Sequence, residues 1–112
     1  MKMIEAIIKP YKLEEVRDAL GELGVTGMTA TEVTGSDRHQ GPVDHFRDSE
    51  DMFDLLPKIR IEVVVADRAA ESTVAAVVKS ARTGKNSDGK IFVTRIEQAV
   101  RIRTEETGDK AI

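Results

Sequence analysis

The chain contains no cysteine, so disulfides and thiolate metal sites are closed to it, and a reducing cytoplasmic setting is expected. Aromatic residues make up only 4% of the sequence and the formal net charge is -3. A nucleic-acid binder needs a basic face and usually stacking rings, so that class is set aside. Long apolar runs are also missing, as are signal and transit patterns, which predicts a soluble, unprocessed protein. What is present is 112 residues with 40% hydrophobic content, enough for one compact domain over 1–112 and too little for a second.

Two similar halves succeed one another. "MKMIEAIIKP" is a short apolar run that Pro10 closes, because proline cannot continue a strand ladder. In "YKLEEVRDALGELG", Leu13, Val16, Leu20 and Leu23 fall on one helical face and Gly24 is placed for a left-handed cap. "VTGMTATEVTG" is rich in β-branched residues and predicts a second strand. After a long polar loop, "KIRIEVVVAD" reads as a central strand, with Asp67 able to cap the next helix. "RAAESTVAAVVKSARTG" sets Ala70, Val74, Val77, Val78 and Ala81 along one helical stripe and stops at Gly84, again a cap position. "KNSDGK" is turn chemistry, and "IFVTRI" and "AVRIR" predict two short strands.

Two interleaved βαβ-like units make an α+β, ferredoxin-like βαββαβ sandwich with both helices on one face of an antiparallel sheet. The other face stays bare. Ile61 and Val63 point opposite to Glu62 and Val64, so the helices cover only one of these sets, and a closed homo-oligomer is predicted to bury the remainder.

Chemistry concentrates in "TGKNSDGK", Thr83 to Lys90, which combines glycines, small polar residues and two lysines. Such a turn can present backbone N–H groups to an anion. Alone, it reads more simply as a turn made by Asp88-Gly89 with solvated lysines. Arg101 and Arg103 lie two apart in a predicted strand, which would set two guanidiniums side by side for a shared phosphate; surface salt bridges are an equal alternative.

Taken together, "MKMIEAIIKPYKLEEVRDALGELGVTGMTATEV", "LLPKIRIEVVV", "TGKNSDGKIFV" and "RIRTEETGDKAI" resemble, in order and over nearly the full length, the PII signal-transduction proteins. The resemblance implies a homotrimer of non-enzymatic regulators in nitrogen or linked carbon metabolism. It implies ATP or ADP binding competitively in clefts between subunits, Mg²⁺ accompanying ATP, and a site for 2-oxoglutarate. The long polar loop, about 36–55, corresponds to the T-loop, an arm that reads target proteins.

Residue by residue, the resemblance implies that Thr29, Glu62 and Val64 line the adenine pocket. Asp88, Gly89 and Lys90, with Ser87 beside them, would hold the phosphates, joined by Arg38 from the loop base, where Asp37 lies near the nucleotide, and by Arg101 and Arg103 from a neighbouring subunit. Lys58 would pair with a carboxylate of 2-oxoglutarate.

Departures from the family pattern fall in the regulatory parts. Asp37-Arg38-His39 stands where the family has Gly-Arg-Gln, so a Mg²⁺-ligating glutamine is replaced by His39, a softer donor that either takes a transition metal or does not ligate at all. Asp37 adds a carboxylate near the expected dianion; two like charges about 5 Å apart at an effective dielectric of about 20 repel by roughly 3 kcal/mol, about a hundredfold in affinity. Altered or lost 2-oxoglutarate sensing is therefore expected, with bicarbonate or another small molecule as the alternative second effector. Ser87 replaces a family glycine, and a tolerated serine is the simpler reading.

Asp51 occupies the position of the uridylylated tyrosine, so that modification has no acceptor here. Ser49 matches a phosphorylated position of cyanobacterial members, but Asp48, Glu50 and Asp51 would repel a phosphate. Phe46, Arg47, Asp51 and Phe53 sit on an acidic arm that could anchor on a partner, a membrane transporter or a metabolic enzyme. Recruitment to a membrane would result from the first of these. Two other classes fit the residues less well: a phosphotransferase through His39 or His45, disfavoured because a floppy arm holds a nucleophile poorly, and a metal module built from His39, His45, Asp37 and Asp44, whose spacing is loose.

Overall fold

The computed structural model describes residues 1–36 and 55–112. Strand β1, Lys2–Ile8, buries Ile4, Ala6 and Ile8 and leaves the alternate residues partly exposed, the period-2 pattern of a sheet covered on one side. Pro10 ends it and opens a single 3-10 turn, Pro10–Lys12. Helix α1, Leu13–Glu22, buries Val16 and Leu20 and carries Glu14 and Glu15 in its first turn, where they complement the helix dipole. It closes as the sequence predicts: Gly24 adopts φ +81°, its N–H bonds the carbonyl of Gly21, and Val25 N–H bonds that of Leu20. Leu23, assigned to the buried face, is 46% exposed because it caps the helix beyond its last packed turn.

The remaining elements are β2 (Met28–Gly35), β3 (Leu56–Val65), α2 (Ala70–Ala81) and β4 (Ile91–Arg95). The sheet runs β2-β3-β1-β4 with every neighbour antiparallel, the ferredoxin-like order expected. Ile4, Ile8, Ile61 and Val63 from the sheet form one cluster with Val16, Leu20 and Val77 from the helices. Each such side chain contributes about 1.5–3 kcal/mol by leaving water. Thr73, a polar residue in the buried stripe of α2, is satisfied locally: its hydroxyl donates to the carbonyl of Ala69 at 2.7 Å.

Register fixes the uncovered face. Glu5 lies opposite Glu62 and Phe92, Ile7 opposite Arg60, Thr29 opposite Glu62, and Thr31 opposite Arg60.

Three local expectations are corrected. Asp67 does not cap α2; its carboxylate takes the terminal ammonium at 2.9 Å and Lys2 at 3.7 Å, and a 3-10 turn, Asp67–Ala69, leads into the helix. Gly84 is not the cap of α2 either, since the helix ends at Arg82 in extended geometry and Gly84 belongs to the turn beyond. "AVRIR" is not a strand: only Val100 bridges, to Thr107, and residues 102–104 form a turn. There Thr104 accepts from Glu106 N–H, Glu105 sits at φ +63°, and Arg101 N–H bonds the Glu106 carbonyl, so the chain reverses where a strand was expected.

Candidate functional site

The turn after α2 is shaped by one carboxylate. Asp88 accepts from the N–H groups of Thr83 and Gly84, at 3.0 and 2.9 Å, and from the Thr83 hydroxyl, while Lys9 Nζ stands 3.5 Å away. Lys9 also donates to Thr83 Oγ1 at 3.0 Å. The Thr83 hydroxyl is the main cause that lowers the Asp88 pKa to about 2; the N–H groups of Gly84 and Thr83 and then Lys9 add to it, against partial burial. Asp88 therefore orders the turn from inside.

Two residues of this turn occupy left-handed backbone, Ser87 at φ +74° and Gly89 at φ +93°. At Gly89 a side chain is excluded outright, because a Cβ would lie 1.8 Å from the Ile7 carbonyl oxygen. Ile7 N–H in turn bonds the Lys90 carbonyl at 3.0 Å, which stitches the turn to β1. Ser87, which the sequence alone presents as a simply tolerated serine, holds a conformation that costs a non-glycine residue about 1–2 kcal/mol.

Lys58, near the start of β3, is only 3% exposed, and its ammonium donates to the Ser87 carbonyl. The predicted second-effector lysine is thus tied to the predicted phosphate turn. Lys58, Gly89 and Lys90 line one cleft of 420 Å³ on the uncovered face, together with Arg60, Glu5 and Phe92. Arg60 is absent from the residues that the sequence singles out. Its Nε is buried with no hydrogen-bond partner, an arrangement that ordinarily costs about 1–3 kcal/mol.

The predicted adenine residues lie elsewhere. Thr29 and Glu62 are cross-strand neighbours, and Val64 and Arg101 line a separate cleft of 610 Å³ with Gly27 and Ile112. Neither cleft contains both sets. Arg101 is ion-paired to Glu106 at 3.7 Å, and the strand geometry that was to align it with Arg103 is absent. Asp37, Arg38, His39, Phe46, Arg47, Asp51 and Phe53, with the Ser49, Asp44 and His45 readings, lie outside the described residues. Among the described residues no group of three or more histidines or carboxylates could hold a metal, and no helix is long and apolar enough to cross a membrane.

Two features are missing from the expectations drawn from the sequence. The Lys9–Thr83–Asp88 network joins positions 74 residues apart, which no local motif announces. Arg60 could have been found, since a charged residue alternating with Ile59 and Ile61 must face away from the helices.

The family model for nitrogen regulatory protein P-II matches residues 1–106. Relatives named nitrogen regulatory protein P-II are 49% identical in Haemophilus influenzae and 53% identical in Mesorhizobium japonicum, each over all 112 residues of both chains. Nitrogen regulatory protein P-II 1 of Escherichia coli K12 is 51% identical, also over the full length of both.

Proposed function

The chain belongs to the nitrogen regulatory protein P-II family, and from that premise we propose a non-enzymatic signalling regulator whose sites for ATP and ADP are closed between copies of the chain. One observation carries the reading. The phosphate residues Lys90 and Gly89 line one cleft of the chain, while Val64, expected at the base, and Arg101, expected at the phosphates of a neighbouring copy's nucleotide, line another, which supports a site built from two protomers. A homotrimer with cytoplasmic location fits this arrangement.

Within each half, the roles follow the family resemblance, and charge and local geometry are compatible with them. Asp88 holds the turn so that the backbone around Ser87 and Gly89 faces an anion, and Lys90 supplies positive charge. Thr29, Glu62 and Val64 would flank the base, Arg101 and Arg103 would reach the phosphates from the neighbouring copy, and Arg38 would join from the loop base, with Asp37 next to it near the nucleotide. Lys58 and His39 would meet a second effector; Asp37 and His39 make 2-oxoglutarate binding weak or replace it with another small anion, and Mg²⁺ would accompany ATP. The arm carrying Phe46, Arg47, Asp51 and Phe53 would engage a target protein, a metabolic enzyme or a transporter that recruits the regulator to a membrane, with no tyrosine uridylylation at Asp51.

The test is complementation. Lys90→Ala and Arg101→Ala chains should each lose most ATP binding in calorimetry, while refolding an equal mixture should restore about a quarter of the sites, as random assembly of two-chain sites requires. A monomeric protein, or mixtures that bind no better than the variants alone, would refute the reading.

A further inference from the structure

We propose that Lys9 is a positioning residue for the phosphate turn: from the end of β1 it sets the Thr83 hydroxyl on Asp88 and so holds residues 83–90 in the shape that receives an anion. The proposal rests on the nucleotide reading above, which gives Lys9 no part.

Lys9 is itself a fixed post. The residue before a proline is driven out of helical backbone, and Lys9, before Pro10, sits extended at φ -69° and ψ 140°. Its side chain is 15% exposed, and its ammonium reaches Thr83 Oγ1 at 3.0 Å and Asp88 at 3.5 Å. Two residues earlier, Ile7 N–H bonds the Lys90 carbonyl at 3.0 Å. The end of β1 thus holds the turn at its first residue and at its last.

The Thr83 hydroxyl converts this attachment into a direction. A hydroxyl has one hydrogen to give and two lone pairs to fill. Here Lys9 Nζ and the Lys85 N–H, the latter at 3.2 Å, both donate to it, so its own hydrogen is left for Asp88. Asp88 also gathers the N–H groups of Thr83 and Gly84. It lies between Ser87 at φ +74° and Gly89 at φ +93°, and a left-handed serine persists only where its surroundings enforce it. Without Lys9 one lone pair of the hydroxyl is empty and its hydrogen is free to turn elsewhere. The carboxylate between the two left-handed residues then loses a directed donor and a nearby cation together.

The experiment is ATP calorimetry on the full chain, with amide hydrogen exchange alongside. Lys9→Met, which keeps the length of the side chain and removes its charge, should weaken ATP binding by about tenfold, the worth of one charge-assisted contact. It should also speed exchange of the Thr83 and Gly84 amides while Leu20 and Val77 keep their protection. Lys9→Arg, which restores a charged donor, should recover most of the affinity. Because the effect runs through the hydroxyl, Lys9→Met combined with Thr83→Val should bind ATP no worse than the weaker single variant. An ATP affinity in Lys9→Met within about twofold of the parent, or losses that multiply in the pair, overturns the proposal and leaves the nucleotide reading standing. Faster exchange throughout the core of Lys9→Met overturns it too, since Lys9 would then serve stability alone. A parent chain that ignores ATP rejects the nucleotide reading; exchange then decides, and unchanged rates at Thr83 and Gly84 in Lys9→Met overturn the proposal as well.

Discussion

Along β3, Ile59, Ile61, Val63 and Val65 are sealed beneath the helices, whereas Arg60, Glu62 and Val64, each one residue away, remain partly exposed. The covered set is uniform and apolar, and it meets Ile4, Ile8, Val16, Leu20 and Val77 with no polar group to satisfy beyond Thr73. The open set is mixed in charge, places Glu62 opposite Glu5, and leaves Arg60 with a buried unmatched donor. One face is finished by the chain itself. The other has its polar groups arranged for something outside it, and the period-2 geometry of a strand lets a single segment of sequence carry both programmes.

The contrast can be broken most severely from the covered side. Ile61→Ala removes a side chain that is 1% exposed, and should cost about 2–5 kcal/mol in urea unfolding. A loss below about 1 kcal/mol would mean the helices do not seal this face as described.

A smaller effect is expected where the two faces meet the turn. Because the Asp88 pKa lies near 2, below its unfolded value, the carboxylate stabilises the fold fully above about pH 4 and this contribution is lost as pH falls through about 2. Asp88→Asn should therefore lower stability at neutral pH and flatten the acid limb of the stability curve. A variant with an unchanged acid limb would show that Asp88 is not the group that titrates there.

The smallest change is expected on the open face. Glu5→Gln relieves the like-charge pair with Glu62 and should raise stability by about 0.2–1 kcal/mol, less at high salt. A clear loss instead would indicate that Glu5 has a favourable partner.

Much of this architecture is legible in the sequence because period and punctuation agree. The stripe Val16 and Leu20 with Gly24 behind it specifies α1 down to its cap, and the alternation around Ile59 and Ile61 specifies which face of β3 is covered. Turn chemistry is harder to read. In "AVRIR" the β-branched residues promise a strand, but Thr104 and the left-handed Glu105 a few residues on reverse the chain, and that competition is decided outside the segment. The position of Gly84 suggests a helix cap, yet Asp88, four residues later, claims its N–H for the turn.

For the site, residue types are legible and their bonding is not. Lys58, Gly89 and Lys90 stand out through a family resemblance and do share a cleft. That Arg101 would be paired with Glu106, that Asp88 would spend its oxygens on Thr83 and Gly84, and that Lys9 would reach across from the end of β1 all depend on long-range packing.

The bond from Lys58 to the Ser87 carbonyl joins positions 29 residues apart in the chain, and it does so from a side chain with almost no room to swing. It behaves as a strut between the strand that receives the polar arm and the turn that would cradle phosphates. A displacement at either end is then felt at the other without any helix having to shift, and substitutions at Lys58 should blur both events together.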